Sequence, residues 1–421
     1  MSKDKVHDKP WQDTSLSPDE RAALLLAQMT LEEKVSMVRG HSIDFYHTAP
    51  IARLGIPALT MTDGPAGIIG GKGTALPAPI ALAATWDLSA AEQYGELLGS
   101  EAEATGNNVF LGCCMDIARL PVDGRLFEAL GEDPILTGQM VVRSIQGVQR
   151  HPVVATAKHY NVNVQEEHRL QGDARLDERT LQEIYTLPFA MAVQDGHVGA
   201  AMGAYNKVNG VYACENRHLL IDILKQQLGF TGWVMSDYGA THSTVEAANA
   251  GLDQEMATPK YFGDHLLRAI QMGRVSMATL DDKVQRILRT MFSQGLFDQP
   301  VQISSLPLQE HGRLAREIAG NTNTGTRAGA EIAQVYLGLP ASTGEPPKRL
   351  VGWSKVELEP GETRQVNATV DPNSVSRPLS YWNVAVNGWE IASGEYQVYV
   401  GASSRDIRLA GTVHISRTEK A

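Results

Sequence analysis

Three cysteines in 421 residues, Cys113, Cys114 and Cys214, are too few and too odd in number for a disulfide framework. They read as reduced, buried thiols, and the adjacent Cys113 and Cys114 read as core residues rather than metal ligands. No apolar run reaches the roughly 18 residues that a membrane-spanning helix needs. The segment from Met1 to Arg21 is polar and lacks the apolar centre of a secretory leader. On these grounds the expected setting is cytoplasmic, or secreted if a leader has been removed, with no membrane partner. Basic residues are the minority: 37 Lys and Arg against 48 Asp and Glu leave a net charge of −11. No basic block stands out, which argues against a nucleic-acid or anionic-membrane surface. The 12 histidines are scattered, without HExxH, CxxC or another ligand spacing, so no metal is expected. Gly64-Pro-Ala-Gly and Gly70-Gly-Lys-Gly match neither a phosphate loop nor a dinucleotide fingerprint, and no cofactor is expected. A Gly-x-Ser-x-Gly elbow is also missing, which removes the usual signature of an α/β-hydrolase serine.

What is present is an ordinary globular composition, 43% hydrophobic and 20% charged. It is long enough for two or three domains, or for one large barrel with an addition. Short apolar runs recur through the first 300 residues: Ala58–Thr62, Asn108–Gly112, Val153–Ala157, Gly199–Ala204 and Gly232–Ser236. Helical patterns alternate with them, as in Ala90–Gly106, Leu176–Val193, Leu219–Leu228 and Leu280–Phe292. Buried strands separated by amphipathic helices imply a parallel sheet wrapped by helices. At this length a (β/α)8 barrel is expected over residues 1–300, with its chemistry at the C-terminal strand ends. The texture then changes. Ala330–Leu337, Gln365–Val370 and Glu395–Val400 alternate with period two, and Pro360-Gly, Asn387-Gly and Ser393-Gly mark turns. A small antiparallel β-sandwich is expected over 321–421, joined to the barrel by a short remnant at 301–320.

Polar residues cluster just after the predicted strands. Asp63 follows the first, and Arg125 lies in the loop after the second. Lys158 and His159 follow the third, with Arg169 close behind, while Tyr205 follows the fourth and Asp237 the fifth. Taken singly, each has a plainer reading. Asp63 before Gly-Pro could be a turn former, Asp237-Tyr-Gly a turn or helix cap, and Lys158-His159 a surface pair. Glu128, Glu132 and Asp133 could be a solvated acidic stretch. Together they occupy corresponding strand ends, and a closed barrel would bring them to one mouth. Such a pocket mixes donors, acceptors and charges in the way vicinal hydroxyls require.

Longer blocks carry a resemblance. Leu59-Thr-Met-Thr-Asp-Gly-Pro-Ala-Gly, Gly131-Glu-Asp-Pro, Lys158-His-Tyr, Gln165-Glu and Arg169 resemble signatures of glycoside hydrolase family 3, typified by β-glucosidases, in family order. The run from Met202 through Ser236-Asp-Tyr-Gly-Ala is the most specific. Leu379-Ser-Tyr-Trp and Val400–Leu409 are similar to that family's fibronectin type III-like domain. The resemblance implies a retaining β-glycosidase acting on a carbohydrate or glycoside, with Asp237 as nucleophile and a covalent glycosyl-aspartate. It implies that Asp63, Arg125, Lys158, His159 and Arg169 hold sugar hydroxyls, that Tyr205 flanks the nucleophile, and that the cations keep Asp237 ionised.

The resemblance also has gaps. The family's central α/β-sandwich, which carries its usual acid/base Glu, has no counterpart here. Leu126 and Ile69 replace an Asn and an Arg common in the family. Replacement acids from the loop after Lys158-His159 are Glu166, Glu167, His168 or Asp173. Three readings follow: a working β-glycosidase with an acid from elsewhere, a sugar-binding or scaffold derivative, or a shortened form of a longer β-glucosidase. Loss of the usual cover predicts exposed apolar surface and homo-oligomerisation or poor solubility.

Overall fold

The computed structural model describes residues 9–41, 44–69, 73–320, 328–360, 362 and 364–416. Gly70 to Lys72 of the glycine-rich run, Asn323 to Arg327 at the join, Gly361 of the Pro-Gly turn and the first eight residues lie outside them.

All five apolar runs contain strands: β1 (Met61–Thr62), β2 (Val109–Phe110), β3 (Val154–Tyr160), β4 (Ala200–Gly203) and β5 (Trp233–Ser236). They pair in that order, all parallel. β3 is buried along its whole length, so both faces read as apolar. Three further segments close the ring through single bridges. Met235 pairs in parallel with Gln254, Glu255 pairs in parallel with Arg39, and His47 pairs with Thr60 in the antiparallel sense. His41 N–H donates to His47 O at 2.8 Å, and Met61 N–H to Tyr46 O at 2.8 Å. The barrel therefore closes with one reversed strand position, next to β1.

Helices cover the outside. α1 (Pro18–Leu26) and α2 (Leu31–Met37) each start with a full capping box, from Ser17 with Glu20 and from Thr30 with Glu33. α3 (Leu88–Ala104) is capped by Asp87 and α4 (Pro134–Val148) by Asp133. Asp133 is thus a helix cap, Glu132 is solvated, and Glu128 is buried rather than part of a solvated stretch. Later in the chain come α5 (Met277–Ser293) and α6 (Leu308–Gly320). His311 Nδ1 on α6 lies 2.8 Å from the fully buried Glu101 carboxylate of α3. Among the described residues, no helix is long and apolar enough to cross a membrane.

Beyond α6 the chain is all β: β6 (Gly329–Gly338), β7 (Arg349–Leu358), β8 (Ser380–Asn383), β9 (Gly388–Ile391), β10 (Gly394–Gly401) and β11 (Ile407–Ile415). One antiparallel sheet runs β7-β6-β10-β11, and β8-β9 form a separate hairpin. Asn387 ends the four-residue loop of that hairpin with φ +50°, in the left-handed region. The alternating Gln365–Val370 forms no strand; it runs along the surface without a ladder partner. No room for a further domain exists between Gly320 and Gly329.

The β-domain is seated on the barrel. The Trp86 and Trp353 rings meet edge to face with centroids 5.3 Å apart, and Trp353 Nε1–H donates to Trp86 O at 2.9 Å. Lys355 Nζ lies 2.9 Å from Asp87 Oδ2. Trp353→Phe keeps an aromatic contact and deletes the hydrogen bond, so it should cost about 1 kcal/mol in urea unfolding. An unchanged midpoint would show that this bond contributes nothing to the seat.

Candidate active site

The strand ends bring their polar residues to one mouth. A cavity of about 310 Å³ is lined by Asp63, Arg125, Lys158, His159, Arg169, Tyr205 and Asp237. These are the seven side chains placed at strand ends and loops by sequence. A larger cleft, about 950 Å³, lies between barrel and β-domain against Trp86 and Trp389. It holds none of the seven, so the chemistry points to the smaller one.

Lys158 and His159 close β3 and are almost fully buried. Lys158 Nζ donates to Asp63 Oδ1 at 2.7 Å, and Gly64 N–H donates to the same oxygen at 2.8 Å. Burial alone would raise the Asp63 pKa, but the Lys158 ammonium holds it below its ordinary 3.8. Burial would likewise lower Lys158, and the Asp63 and Glu128 carboxylates carry it above 10.5. The depressed acid contributes stability above 3.8 that is lost as pH falls through its folded value. The raised base contributes below 10.5 and is lost as pH rises through its own. The pair therefore stays ionised between those limits. In Lys158→Met, burial of Asp63 is opposed only by the Gly64 N–H and His159, and its carboxyl, followed by ¹³C NMR, should titrate at higher pH than in the unaltered chain. No movement would mean that Lys158 is not what holds it down.

His159 Nδ1 lies 2.6 Å from Asp116 Oδ2, and its Nε2 faces the cavity, 3.5 Å from Asp237 Oδ2. Arg125 Nη2 is 3.2 Å from the same Nε2. The Arg125 guanidinium donates twice to the buried Glu128, at 3.0 Å from Nε and 3.0 Å from Nη2. Burial would lower its pKa, and the Glu128 carboxylate overrides that. Arg169 lies over the Tyr205 ring, 4.6 Å from its centroid. Burial, and then the Asp237 charge, push the Tyr205 phenol up, while its hydroxyl donates to Tyr238 O at 3.1 Å. Asp237 is fixed by its backbone N–H to Gly203 O at 2.9 Å and by Tyr238 N–H to Oδ1 at 2.7 Å. Its buried Oδ2 has no hydrogen-bond partner among the described residues.

The four proposed acids do not join them. Glu166 accepts from Arg169 Nη1 at 2.8 Å and lies 3.8 Å from Arg125 Nη1. Glu167 and His168 side chains are 81% and 82% exposed and face each other. Asp173 is tied to Arg175 Nε at 2.6 Å and to Gly210 N–H at 2.8 Å. Leu126 and Ile69 do not line the cavity either.

Two features escaped the sequence. Asp116 carries no sequence signal, because nothing in the spacing links it to His159. The wall of Phe45, Tyr46 and Tyr238, with Phe45–Tyr238 and Tyr46–Tyr238 centroids both 5.5 Å apart, was hidden in loops. Its only signal is an aromatic pair in a polar stretch. Among the described residues, Cys114, Asp116 and His159 form a group of potential metal ligands, their atoms within 4.8 Å of one another.

The N-terminal domain model of glycosyl hydrolase family 3 matches residues 19–290, well over half of the chain and every residue of this site. The chain belongs to glycosyl hydrolase family 3. A fibronectin type III-like domain model matches residues 331–404. Curated relatives from the family include a β-glucosidase of Rhizobium radiobacter, 41% identical over 304 residues, covering 70% of this chain and 37% of that protein. Thermostable β-glucosidase B of Acetivibrio thermocellus is 38% identical over 312 residues, 71% of this chain and 41% of its own. The chain thus spans about two fifths of the length of such relatives. A solved β-glucosidase of Kluyveromyces marxianus is 32% identical with a TM-score of 0.67, over 70% of this chain and 37% of that one. The β-D-glucoside glucohydrolase of Trichoderma reesei reaches a TM-score of 0.86 at 22% identity, covering 97% of this chain and 100% of that one. At that identity the likeness speaks for the fold alone.

Proposed function

We propose that the chain is a retaining β-glycosidase acting on terminal β-D-glucosyl or related residues, with Asp237 as nucleophile. The observation that carries this reading is the convergence of seven charged and polar side chains on a cavity of one sugar ring's scale, about 310 Å³. Asp237, which lines that cavity and whose Oδ2 has no hydrogen-bond partner among the described residues, attacks the anomeric carbon, and the C–O bond to the aglycone breaks with its electron pair on the leaving oxygen. Water then attacks the same carbon, loses a proton and frees the aspartate. Asp63 accepts from sugar hydroxyls while Lys158, Arg125 and Arg169 donate to them, and the aromatic wall covers the aglycone side.

One observation favours a second reading, sugar binding with impaired turnover. A retaining glycosidase needs a second carboxyl about 5–5.5 Å from the nucleophile. Glu166, Glu167, His168 and Asp173 are each paired with other groups or turned outward. On this view the chain is a catalytically impaired derivative, or part of a longer β-glucosidase.

The test pairs an activated aryl β-glucoside, whose leaving group needs no protonation, with an unactivated disaccharide. Release from the aryl substrate alone, accelerated by azide, fits a nucleophile without its acid; release from both fits a complete enzyme. No release from either, with calorimetry still showing glucose binding, supports the second reading. Association is part of the same proposal. Leu120, Val122, Phe127 and Leu170, 46–84% exposed, lie on loops that also carry site residues. A clean monomer by light scattering would count against it.

A further inference from the structure

We propose that Cys114, Asp116 and His159 bind a thiophilic divalent cation of the Zn²⁺ or Cd²⁺ type, and that the bound ion shuts the sugar pocket. One thiol, one carboxylate oxygen and one imidazole nitrogen are the donor set such a cation selects. Cys114 Sγ lies 3.2 Å from Asp116 Oδ2, and His159 Nδ1 lies 2.6 Å from the same oxygen. With all three ligand atoms inside 4.8 Å, shifts on the order of 1 Å reach tetrahedral ligand spacings and leave the fourth position open. The grouping comes from strand register: Cys114 bridges Lys158 in parallel, which runs the 114–116 segment alongside His159. Sequence spacing cannot show this, and Cys114 read there as a core residue. Both Cys114 and His159 are buried, so water competes little for the ion. Two cations stand near the ion's position, Lys158 and Arg125, and each is neutralised by a carboxylate, Asp63 and Glu128.

The coupling to the pocket follows from tautomers. Arginine only donates, so Arg125 at 3.2 Å makes His159 Nε2 an acceptor and leaves the ring proton on Nδ1, donated to Asp116. A cation on Nδ1 takes that lone pair, and the ring proton moves to Nε2. The thiol gives up its proton to solvent, one per ion bound. Nε2–H then confronts the Arg125 N–H groups and points at Asp237 Oδ2, 3.5 Å away. The arginine is displaced and the carboxylate acquires a donor. Metal uptake is independent of the proposed function; only the weakening of glucose binding rests on it.

The purified full chain is titrated with ZnCl₂ by calorimetry, and with CdCl₂ while thiolate-to-cadmium absorption is followed. One ion per chain is expected, with the absorption band present. Cys114→Ser and Asp116→Asn should each weaken uptake at least tenfold, and Cys114→Ser should abolish the band. Cys214→Ser, a buried thiol outside the cluster, should leave both unchanged. Saturating zinc should weaken glucose binding at least tenfold in the unaltered chain and leave it unchanged in Cys114→Ser. Circular dichroism checks each variant, and Asp116→Asn decides the matter if Cys114→Ser does not fold. No saturable uptake at millimolar zinc, or uptake equal in both variants, overturns the site. Uptake with glucose binding untouched overturns the closure.

Discussion

Asp237→Ala is expected to slow hydrolysis of an activated aryl β-glucoside by on the order of 10⁴-fold, the scale of losing a catalytic nucleophile. That corresponds to about 5 kcal/mol of transition-state stabilisation. The variant should fold. The backbone bond from residue 237 to Gly203 O, 2.9 Å, needs no side chain, and only the acceptor for Tyr238 N–H is lost. Losing one such acceptor costs about 1 kcal/mol. Glucose affinity, measured by calorimetry, should move less than tenfold, because the ground state is held by Asp63, Lys158, Arg125 and Arg169 rather than by the group that attacks. A kcat that falls with KM nearly constant is the signature of an interaction made only in the transition state. Should the variant retain activity within tenfold of the unaltered chain, Asp237 is not the nucleophile.

The site was more legible than the frame that holds it. Asp63, Lys158, His159 and Asp237 sit at the ends of strands that announce themselves as apolar runs, and parallel pairing then carries their side chains to one mouth. The remaining ring positions do not announce themselves. Asp253, Gln254 and Glu255 look like a polar loop, yet all three are buried in the barrel wall. Their polarity is absorbed locally. Asp253 pairs with Lys225 at 2.6 Å and takes Val234 N–H at 2.8 Å, while Gln254 accepts from Trp233 Nε1 and donates to Met37 O. Glu255 receives the N–H groups of Lys260, Tyr261 and Phe262. Hydrophobic patterning is blind to strands stabilised in this way. The opposite failure occurs at Gln365–Val370, where period-two alternation is present and no neighbouring strand exists to use it. Alternation states what a strand would look like; pairing decides whether one forms. The acid candidates illustrate a third limit of pattern reading. Residue type nominated Glu166, Glu167, His168 and Asp173, but loop geometry directs each elsewhere, and no spacing rule reports where a loop side chain points.

Glu345→Ala is expected to remove roughly 3 kcal/mol or more from stability, the scale of breaking a buried ion pair from one side. The Glu345 side chain is only 3% exposed and bridges two arginines. Its Oε1 contacts Arg179 of the barrel, and its Oε2 lies 3.2 Å from Arg349 of the β-domain. Arg349 Nη2 also donates to Arg377 O at 3.1 Å and to Pro378 O at 2.9 Å, so it cannot swing out to water without further loss. Removing Glu345 leaves the Arg349 guanidinium without its carboxylate in the seat between the domains, while Arg179 keeps only Glu183, at 3.2 Å. Glu183 offers a contrast within the same cluster. Its carboxyl accepts Trp382 N–H at 2.6 Å, and burial together with the nearby Glu345 charge raises its pKa above 4.5. A raised acid binds more protons folded than unfolded, so its contribution weakens as pH rises from 4.5 through the folded value. Glu183→Gln keeps an acceptor for Trp382 and deletes the repulsion, so it should change stability by less than about 1 kcal/mol at neutral pH. Urea unfolding followed by tryptophan emission measures both, because Trp86 and Trp353 report directly on the seat. Glu345→Ala should lower the midpoint and broaden or split the transition as the β-domain loosens before the barrel melts. If the two variants cost the same, the arginine bridge is not what fastens the domains.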